Sequence, residues 1–371
     1  MVFFTYHDMD SERLLRHHPN TGPEVLENIR SLNVPVVRYF PWVYSGSTIV
    51  KMSLLIIHAL VAPFLLPHYF KRHACHVVNA GYVQRDGFVI ALSGIRQFFL
   101  TVWGSDILIL PRRNRVMKWM TCYTLKKARI IYCDNSYVAD EVKRIYPPAK
   151  DKTVAFPQFG VDSALYGGSG GAAALREELG LTSEKVIIST RLFFPVHNMR
   201  AIPHVVEKLS GKTSIPFKMI MVGYGPEYDS VQRLVKDKNL EDRILMLGGQ
   251  SPERIISFLG IADIAVSVTL SDGTPQSMLE AMAASLPLVL HNLPTCHEWV
   301  EEGKNGFLVP INDYDALADR LARLLDDGEL RTAMGARNRQ IAKERCDVRV
   351  NARKCVEYMR MAAGFSSQLL T

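Results

Sequence analysis

No two of the six cysteines form a C-x2-C pair. They stand singly at 75, 122, 133, 296, 346 and 355. That excludes a zinc-ribbon or dithiol redox spacing and leaves no metal-ligand cluster, so they read as reduced, mostly packed thiols of a cytosolic protein. A G-x-G-x-x-G following a strand, with an acid about 20 residues on, is also missing, which argues against a nicotinamide-dependent oxidoreductase. No internal repeat or low-complexity tract appears. The opening MVFFTYHDMDSERLL lacks a basic leader, and its apolar run is too short for a secretory signal. Charge is absent from residues 52–70 if His58 and His68 are neutral, a length that suits a bilayer span. Pro63 and Pro67 interrupt a helix there, and Lys51, Lys71 and Arg72 flank it. A buried or interface-lying helix is therefore expected over a spanning one.

What is present is ordinary globular material. The 371 residues are 48% hydrophobic and 22% charged, enough for two domains with full cores. The net charge of +7 is uneven: residues 1–160 carry 20 Lys/Arg against 11 Asp/Glu, and the remainder 24 against 26. The first half is thus suited to meet anions, with nucleic acid, phospholipid and phosphorylated metabolites all open on charge alone.

GGSGG at 167–171 marks a hinge or linker. After it, short β-rich runs recur at 186–190, 217–222, 243–247, 264–269, 287–290 and 307–309, with helix-like stretches at 227–238, 252–261 and 276–285. Continuous apolar strands alternating with helices indicate a parallel sheet covered on both faces. The first half has comparable runs at 34–39, 75–79, 98–102, 129–133 and 153–156. The expected architecture is α/β, with two Rossmann-like doubly wound domains and a cleft between them. Residues 1–165 would form the first domain and 166–349 the second, and a helix in 350–371 would pack back on the first.

The stretch SDGTPQSMLEAMAASLPLVL, 271–290, carries the most chemistry. It follows the run 264–269, and ligands of open α/β sheets sit beyond the carboxyl ends of strands. Pro275 suits a first helical position. The amides of Gln276 and Ser277 would then be unpaired donors at the positive end of a helix, where phosphate binds. Glu280 lies one turn further on and leans back toward that end. An acid, amides, then an acid reads as sugar, diphosphate and ribose. The same acids also suit simpler roles, Asp272 capping a turn and Glu280 as a solvated helix residue.

This stretch resembles the E-x7-E region of the family 4 retaining glycosyltransferases of the GT-B fold. The similarity continues through ISTRL at 188–192, which contains Arg191, MVGYGPE at 221–227, ILMLGGQSPERIISFLGIADIAV at 244–266, and WVEEGKNGFLVPINDYDALADRLARLL at 299–325. The resemblance implies that Asp272, Arg191 and Glu280 carry the chemistry. Glu280 would hold the ribose, and Asp272 the transferred sugar together with the Gly273 and Thr274 amides. Arg191 and the Gln276 and Ser277 amides would neutralise the diphosphate, a task that suits the planar, permanently charged guanidinium fork. Gly248 and Gln250 would meet the nucleobase. Where the family usually has Lys, this chain has His197, which would donate to phosphate if protonated and make activity fall as pH rises; a packed or solvent-facing histidine is the other reading. Asp272 replaces a more common Glu, and Pro275 removes an amide.

In the first half, LTVWGSDI at 100–107 resembles the family's strand and loop, with Trp103 in place of the usual His. Trp103 and Asp106 are the acceptor-side candidates, Asp106 also suiting a turn cap. The family's glycine-rich loop after the first strand is missing, since no glycine precedes Gly22. RRNRVMKWMTCYTLKKAR at 112–129 holds seven basic residues. As a helix it puts Arg115, Lys118, Lys126 and Arg129 on one face, and Val116, Trp119, Met120 and Tyr123 on another. It suits either a solvated core helix or attraction to anionic headgroups and a pyrophosphate-linked lipid acceptor.

The expected activity is metal-independent hexosyl transfer, with retention, from a nucleotide diphosphate sugar to a glycan or lipid-linked acceptor in cell-surface polysaccharide or lipid-linked glycan synthesis. No cofactor and no nucleic acid partner are expected, and the location is cytoplasmic or peripheral at the inner face of the cell membrane. A non-catalytic anionic-lipid or nucleotide-binding protein, or a GT-B nucleotide-sugar epimerase, are the alternatives.

Overall fold

The structure, a computed structural model, describes residues 3–5, 36–38, 60–61, 63–157, 160–167 and 171–366. The expected runs at 34–39 and 52–70 and the linker at 167–171 therefore lie partly outside the described residues. The chain divides into two compact units. One comprises Met1–Cys133, Val138–Ala155 and Lys354–Thr371, and the other Asp134–Tyr137 and Phe156–Arg353. The second unit thus starts at Phe156, ten residues before the boundary read from the sequence, because Val161 and Tyr166 are buried in its core.

In the first unit, β1 (Phe3–Thr5) and β2 (Val36–Arg38) pair in parallel as a separate ribbon. A four-stranded parallel sheet follows in the order β3 (Val78–Gly81), β4 (Phe98–Val102), β5 (Ile130–Cys133) and β6 (Thr153–Ala155). β4 and β5 are buried along their whole length, as strands covered on both faces must be. β3 lies about three residues later than the run 75–79 suggested. His76 and Val77 precede it outside the ladder, and Ala74 holds a positive φ of 47°.

The basic stretch forms the helix Arg115–Lys127, whose start is capped by Asn114: its side chain accepts the Met117 N–H at 2.8 Å. The side turned inward is Thr121, Thr124 and Leu125. Val116 and Trp119, read as an apolar face, are 60% and 57% exposed. The helix therefore presents its basic and its large apolar residues together on the solvent side. That buried side packs on the helical segments Tyr82–Gly87 and Phe88–Ser93.

The second unit holds a six-stranded parallel sheet: β7 (Lys185–Ser189), β8 (Phe217–Met221), β9 (Ile244–Met246), β10 (Ile264–Ser267), β11 (Leu288–His291) and β12 (Gly306–Val309). Their spatial order is β12-β11-β10-β7-β8-β9. Read from the other edge, this is the 3-2-1-4-5-6 arrangement of a doubly wound dinucleotide-type sheet. The strand order reverses between β7 and β10, and the carboxyl ends of these two strands flank the switch-point crevice where ligands of such sheets bind. Amphipathic helices cover the faces. Tyr228–Asp237 buries Val231 and Val235, one turn apart, and Tyr314–Asp326 buries Leu317, Leu321, Leu324 and Leu325 after an Asp313 cap.

Candidate functional site

Arg191 leaves β7 and Asp272 leaves β10, on the two sides of that crevice. Arg191 is 9% exposed and makes three side-chain contacts. Its Nη1 donates to Ser277 Oγ at 3.1 Å, and its Nη2 both donates to Asp272 Oδ2 in an ion pair and meets His197 Nδ1 at 2.8 Å. Its Nε is buried with no partner, an orphan donor that calls for an explanation. The Leu270 N–H donates to Val196 O at 2.8 Å, tying the β10 loop to the β7 loop.

Two glycines make this approach possible. Gly223 and Gly225 have φ of 148° and 151°, and a Cβ at either would lie 2.5 Å from Arg191 O or 2.6 Å from Phe193 O. Only glycine lets the turn after β8 close on the Arg191 loop.

The helix Gln276–Ala283 starts with Pro275 as its N-cap (φ −69°, ψ 130°), so Pro275 stands just outside the helix rather than at its first position. Proline has no side-chain acceptor, and no side chain caps this end. Met278 and Leu279 N–H both donate to Pro275 O. The Gln276 and Ser277 amides meet no acceptor among the described residues, leaving two donors beside Arg191.

Gly273 and Thr274 differ from expectation, because their amides are already engaged. Gly273 N–H donates to Asp272 Oδ1 and Thr274 N–H to Asp134 Oδ2, each at 3.0 Å. The sequence reading missed Asp134 and its neighbours. Thr274 Oγ1 donates to Asp134 O at 2.7 Å and accepts from Trp299 Nε1 at 3.0 Å and Asn135 Nδ2 at 3.3 Å. Asn135 also donates to Thr295 O at 3.1 Å, and Ser136 N–H to Glu298 Oε2 at 2.7 Å. Segment 134–136 thus clamps the β10 loop from 140 residues away in sequence. No local pattern around 271–290 announces it; the only hint was a polar CDNS following an apolar strand.

Glu280 is half-buried inside the same helix. Burial pushes its carboxyl up to about 7, against a smaller opposing hydrogen bond from the Gln276 side chain. Gln276 Nε2 in turn donates to Gly160 O at 2.8 Å. Burial, with Glu280 nearby, also raises the Tyr166 hydroxyl.

Of the two readings of His197 open from the sequence, a protonated donor or a packed histidine, the structure favours the packed one. Burial, reinforced by the Arg191 charge, lowers it to about 4. It is neutral at physiological pH and cannot make activity fall as pH rises there. Gly248 and Gln250 lie in the turn after β9. Gly248, at φ 64°, accepts the Gly223 N–H through its carbonyl at 2.8 Å, and Gln250 Nε2 donates to Leu247 O at 2.7 Å.

Asp106 is also corrected. It is fully buried, and so cannot touch an acceptor. It accepts the Val83 and Trp103 N–H groups at 3.1 and 3.0 Å, joining the loops after β3 and β4. Burial raises it to about 6 despite those bonds. Trp103 itself is 41% exposed, and its indole lies against Gly81, where a Cβ would sit 2.5 Å from Nε1. Among the described residues no cluster of three or more His, Cys, Asp or Glu could hold a metal.

With that geometry in hand, similarity to known proteins is informative. Residues 172–341 match the family model described as Glycosyl transferases group 1. The chain is 27% identical over 248 residues to an N-acetyl-alpha-D-glucosaminyl L-malate synthase of Bacillus anthracis, covering 66% of this chain and 62% of that protein. It is 27% identical over 247 residues to an Escherichia coli UDP-Gal:alpha-D-GlcNAc-diphosphoundecaprenol alpha-1,3-galactosyltransferase, covering 64% and 62%. The chain therefore spans about three fifths of the length of these curated relatives. Among solved structures, Anabaena HepE in complex with UDP-glucose superposes with a TM-score of 0.74 at 17% identity, over 97% of this chain and 99% of that one. This likeness shows the fold, GT-B with two Rossmann-like domains.

Proposed function

We propose that this chain is a family 4 retaining glycosyltransferase that moves a hexose-type sugar from a nucleotide diphosphate sugar to a glycan or lipid-linked acceptor. One observation carries the reading: a buried arginine with an unpaired Nε and two free helix-start amides converge at the switch point of a 3-2-1-4-5-6 sheet. Such a site fits a diphosphate. Uridine nucleotides are the first donors to try, since the E. coli relative is named for UDP-Gal and HepE was crystallised with UDP-glucose.

In this mechanism Arg191 and the Gln276 and Ser277 amides stabilise the departing diphosphate. They are fixed before reaction, so no reorganisation opposes them as charge develops. Asp272 turns from Arg191 to the sugar hydroxyls when the donor's phosphates replace it as the guanidinium's partner. Glu280 accepts from the ribose hydroxyls. Arg191 is a fixed cation beside the leaving group, and the proposal includes no metal and no cofactor. Trp103, on the β4 loop, is assigned to acceptor binding.

We also assign the helix Arg115–Lys127 to an anionic membrane surface, reached from the cytoplasm. Its solvent face combines Val116 and Trp119 with exposed Arg115 and Lys118, the composition of an interfacial helix. Among the described residues no helix is long and apolar enough to cross a membrane. Cell-surface polysaccharide or lipid-linked glycan synthesis fits such a location.

The direct test is a thermal-shift screen of purified chain against UDP-, GDP- and ADP-sugars, followed by assay of donor hydrolysis and transfer. Stabilisation by one nucleotide series with sugar release is the expected result. Nucleotide binding without hydrolysis or transfer to any acceptor would favour a non-catalytic role. Arg191→Ala should lower the rate by about 100-fold or more, as loss of a preorganised charge donor does.

A further inference from the structure

We infer that His197 is a positioning residue: as the neutral Nε2–H tautomer it accepts a guanidinium N–H at Nδ1 and keeps the Arg191 fork aligned once Asp272 has released it. This rests on the donor-binding reading above and adds a role for which nothing in the Arg191 site otherwise accounts.

The chemistry of the pair forces the tautomer. A guanidinium only donates, so the 2.8 Å contact between Arg191 Nη2 and His197 Nδ1 requires a lone pair on Nδ1. The ring proton is then on Nε2. A protonated imidazole would place two cations in contact, and burial opposes that charge as well. Asp272, the other acceptor on Nη2, is the charged group facing the ring across Arg191.

The backbone holds His197 in this place. It ends a short turn, Pro195–His197, with its N–H donating to Phe194 O at 2.9 Å and Asn198 following at φ 52°. Asparagine tolerates that left-handed conformation better than most residues. The neighbouring Val196 carbonyl is tied to Leu270 of the β10 loop, and the ring stands edge-on to Phe194 at 6.5 Å. An arginine side chain has several free torsions. Of its two Nη2 acceptors, the mechanism removes Asp272 at donor binding; His197 is then the protein acceptor left on Nη2 and, with Ser277 Oγ on Nη1, fixes the plane of the fork. A lysine at this position would supply charge but no acceptor.

Four variants separate alignment from direct phosphate contact. The Oδ1 of Asn reproduces the position of Nδ1, and the amide of Gln that of Nε2. Binding of UDP and of inorganic pyrophosphate is measured by calorimetry at pH 7. His197→Asn should stay within about threefold of wild type. His197→Leu and His197→Lys should each weaken UDP binding about tenfold or more, the scale of a lost hydrogen bond to a charged group. Their melting temperatures without ligand report any general loss of folding. Equal or tighter UDP binding by His197→Lys, or rescue by His197→Gln but not His197→Asn, would overturn the inference in favour of direct contact.

A second readout needs no ligand. The ¹⁵N chemical shifts of the His197 ring should show an unprotonated Nδ1 and a protonated Nε2 at pH 6, unchanged to pH 8. The reverse tautomer, or a ring charged at pH 6, would sink the inference. Wild-type protein that binds no nucleoside diphosphate would sink the functional reading instead, while leaving this ring measurement to stand or fall separately.

Discussion

Glu280 sits one turn inside the helix whose start faces Arg191, and its carboxyl is raised to about 7 by burial. A ribose donates hydroxyl protons, which a carboxylate accepts at both oxygens and a neutral acid accepts less well. Donor binding therefore favours the ionised form and releases the proton that the free protein still holds below pH 7. The sign follows directly: donor Kd should fall as pH rises from 5.5 to 7, by about tenfold per unit at the acid end, and level off above it. His197, which would impose the opposite slope only as a protonated donor, is neutral throughout that range. Calorimetry with UDP at several pH values tests this. Glu280→Gln should bind more weakly and lose the slope; a wild-type Kd independent of pH, or improving as pH falls, would remove Glu280 from the ribose site.

At the scale of elements, the β10 loop is held in shape by segment 134–136, with the Thr274 hydroxyl at the centre of three hydrogen bonds. Thr274→Val keeps the side chain's shape but leaves the Trp299 Nε1–H and the Asn135 amide short of an acceptor. Leaving a buried donor unpaired costs about 1–3 kcal/mol. Melting temperature should fall by roughly 2–4 °C for each kcal/mol, with weakened UDP binding, whereas Thr274→Ser should retain both. A Thr274→Val protein that melts and binds like wild type would show that the clamp is dispensable. This element also marks where the sequence stopped being legible. The six strands of the second unit were readable because each is a short continuous apolar run between turns, and two strand ends plus one helix start placed Arg191, Asp272 and Glu280 at one sheet edge. The Asp134 clamp was not readable, since it joins residues 140 positions apart. For Asp106 the sequence left an acceptor-side role and a turn cap both open, because an acid in a polar GSD loop suits either. Only the fold shows its carboxylate buried between two backbone amides. The same limit applies to Val116 and Trp119, where helical periodicity separates faces but does not say which face the rest of the unit covers.

For the whole molecule, charge divides with the chain: residues 1–160 hold 20 Lys/Arg to 11 Asp/Glu, and the remainder 24 to 26. A donor site needs its cations local, and Arg191 lies in the near-neutral part. The basic excess of the first half therefore asks for a different anion. The helix Arg115–Lys127 supplies a surface for one, because Arg115, Lys118, Lys126 and Lys127 are exposed beside Val116 and Trp119. Phe88 lies edge-on to Trp119 at 5.5 Å and so supports the indole from within its own unit. An anionic leaflet attracts each basic residue by about 1 kcal/mol, and the attraction is screened within a Debye length. Flotation with vesicles containing phosphatidylserine or phosphatidylglycerol should therefore carry the protein at low salt and release most of it at 0.5 M NaCl. Arg115→Glu with Lys118→Glu should weaken vesicle binding by about tenfold or more. Trp119→Ser should reduce the salt-resistant fraction that apolar insertion supports. Both variants should keep wild-type donor hydrolysis in the absence of vesicles, because neither change touches Arg191 or its partners. Binding to neutral phosphatidylcholine vesicles equal to that with anionic ones, or no flotation at low salt, would show that the basic face of this helix serves something other than a membrane.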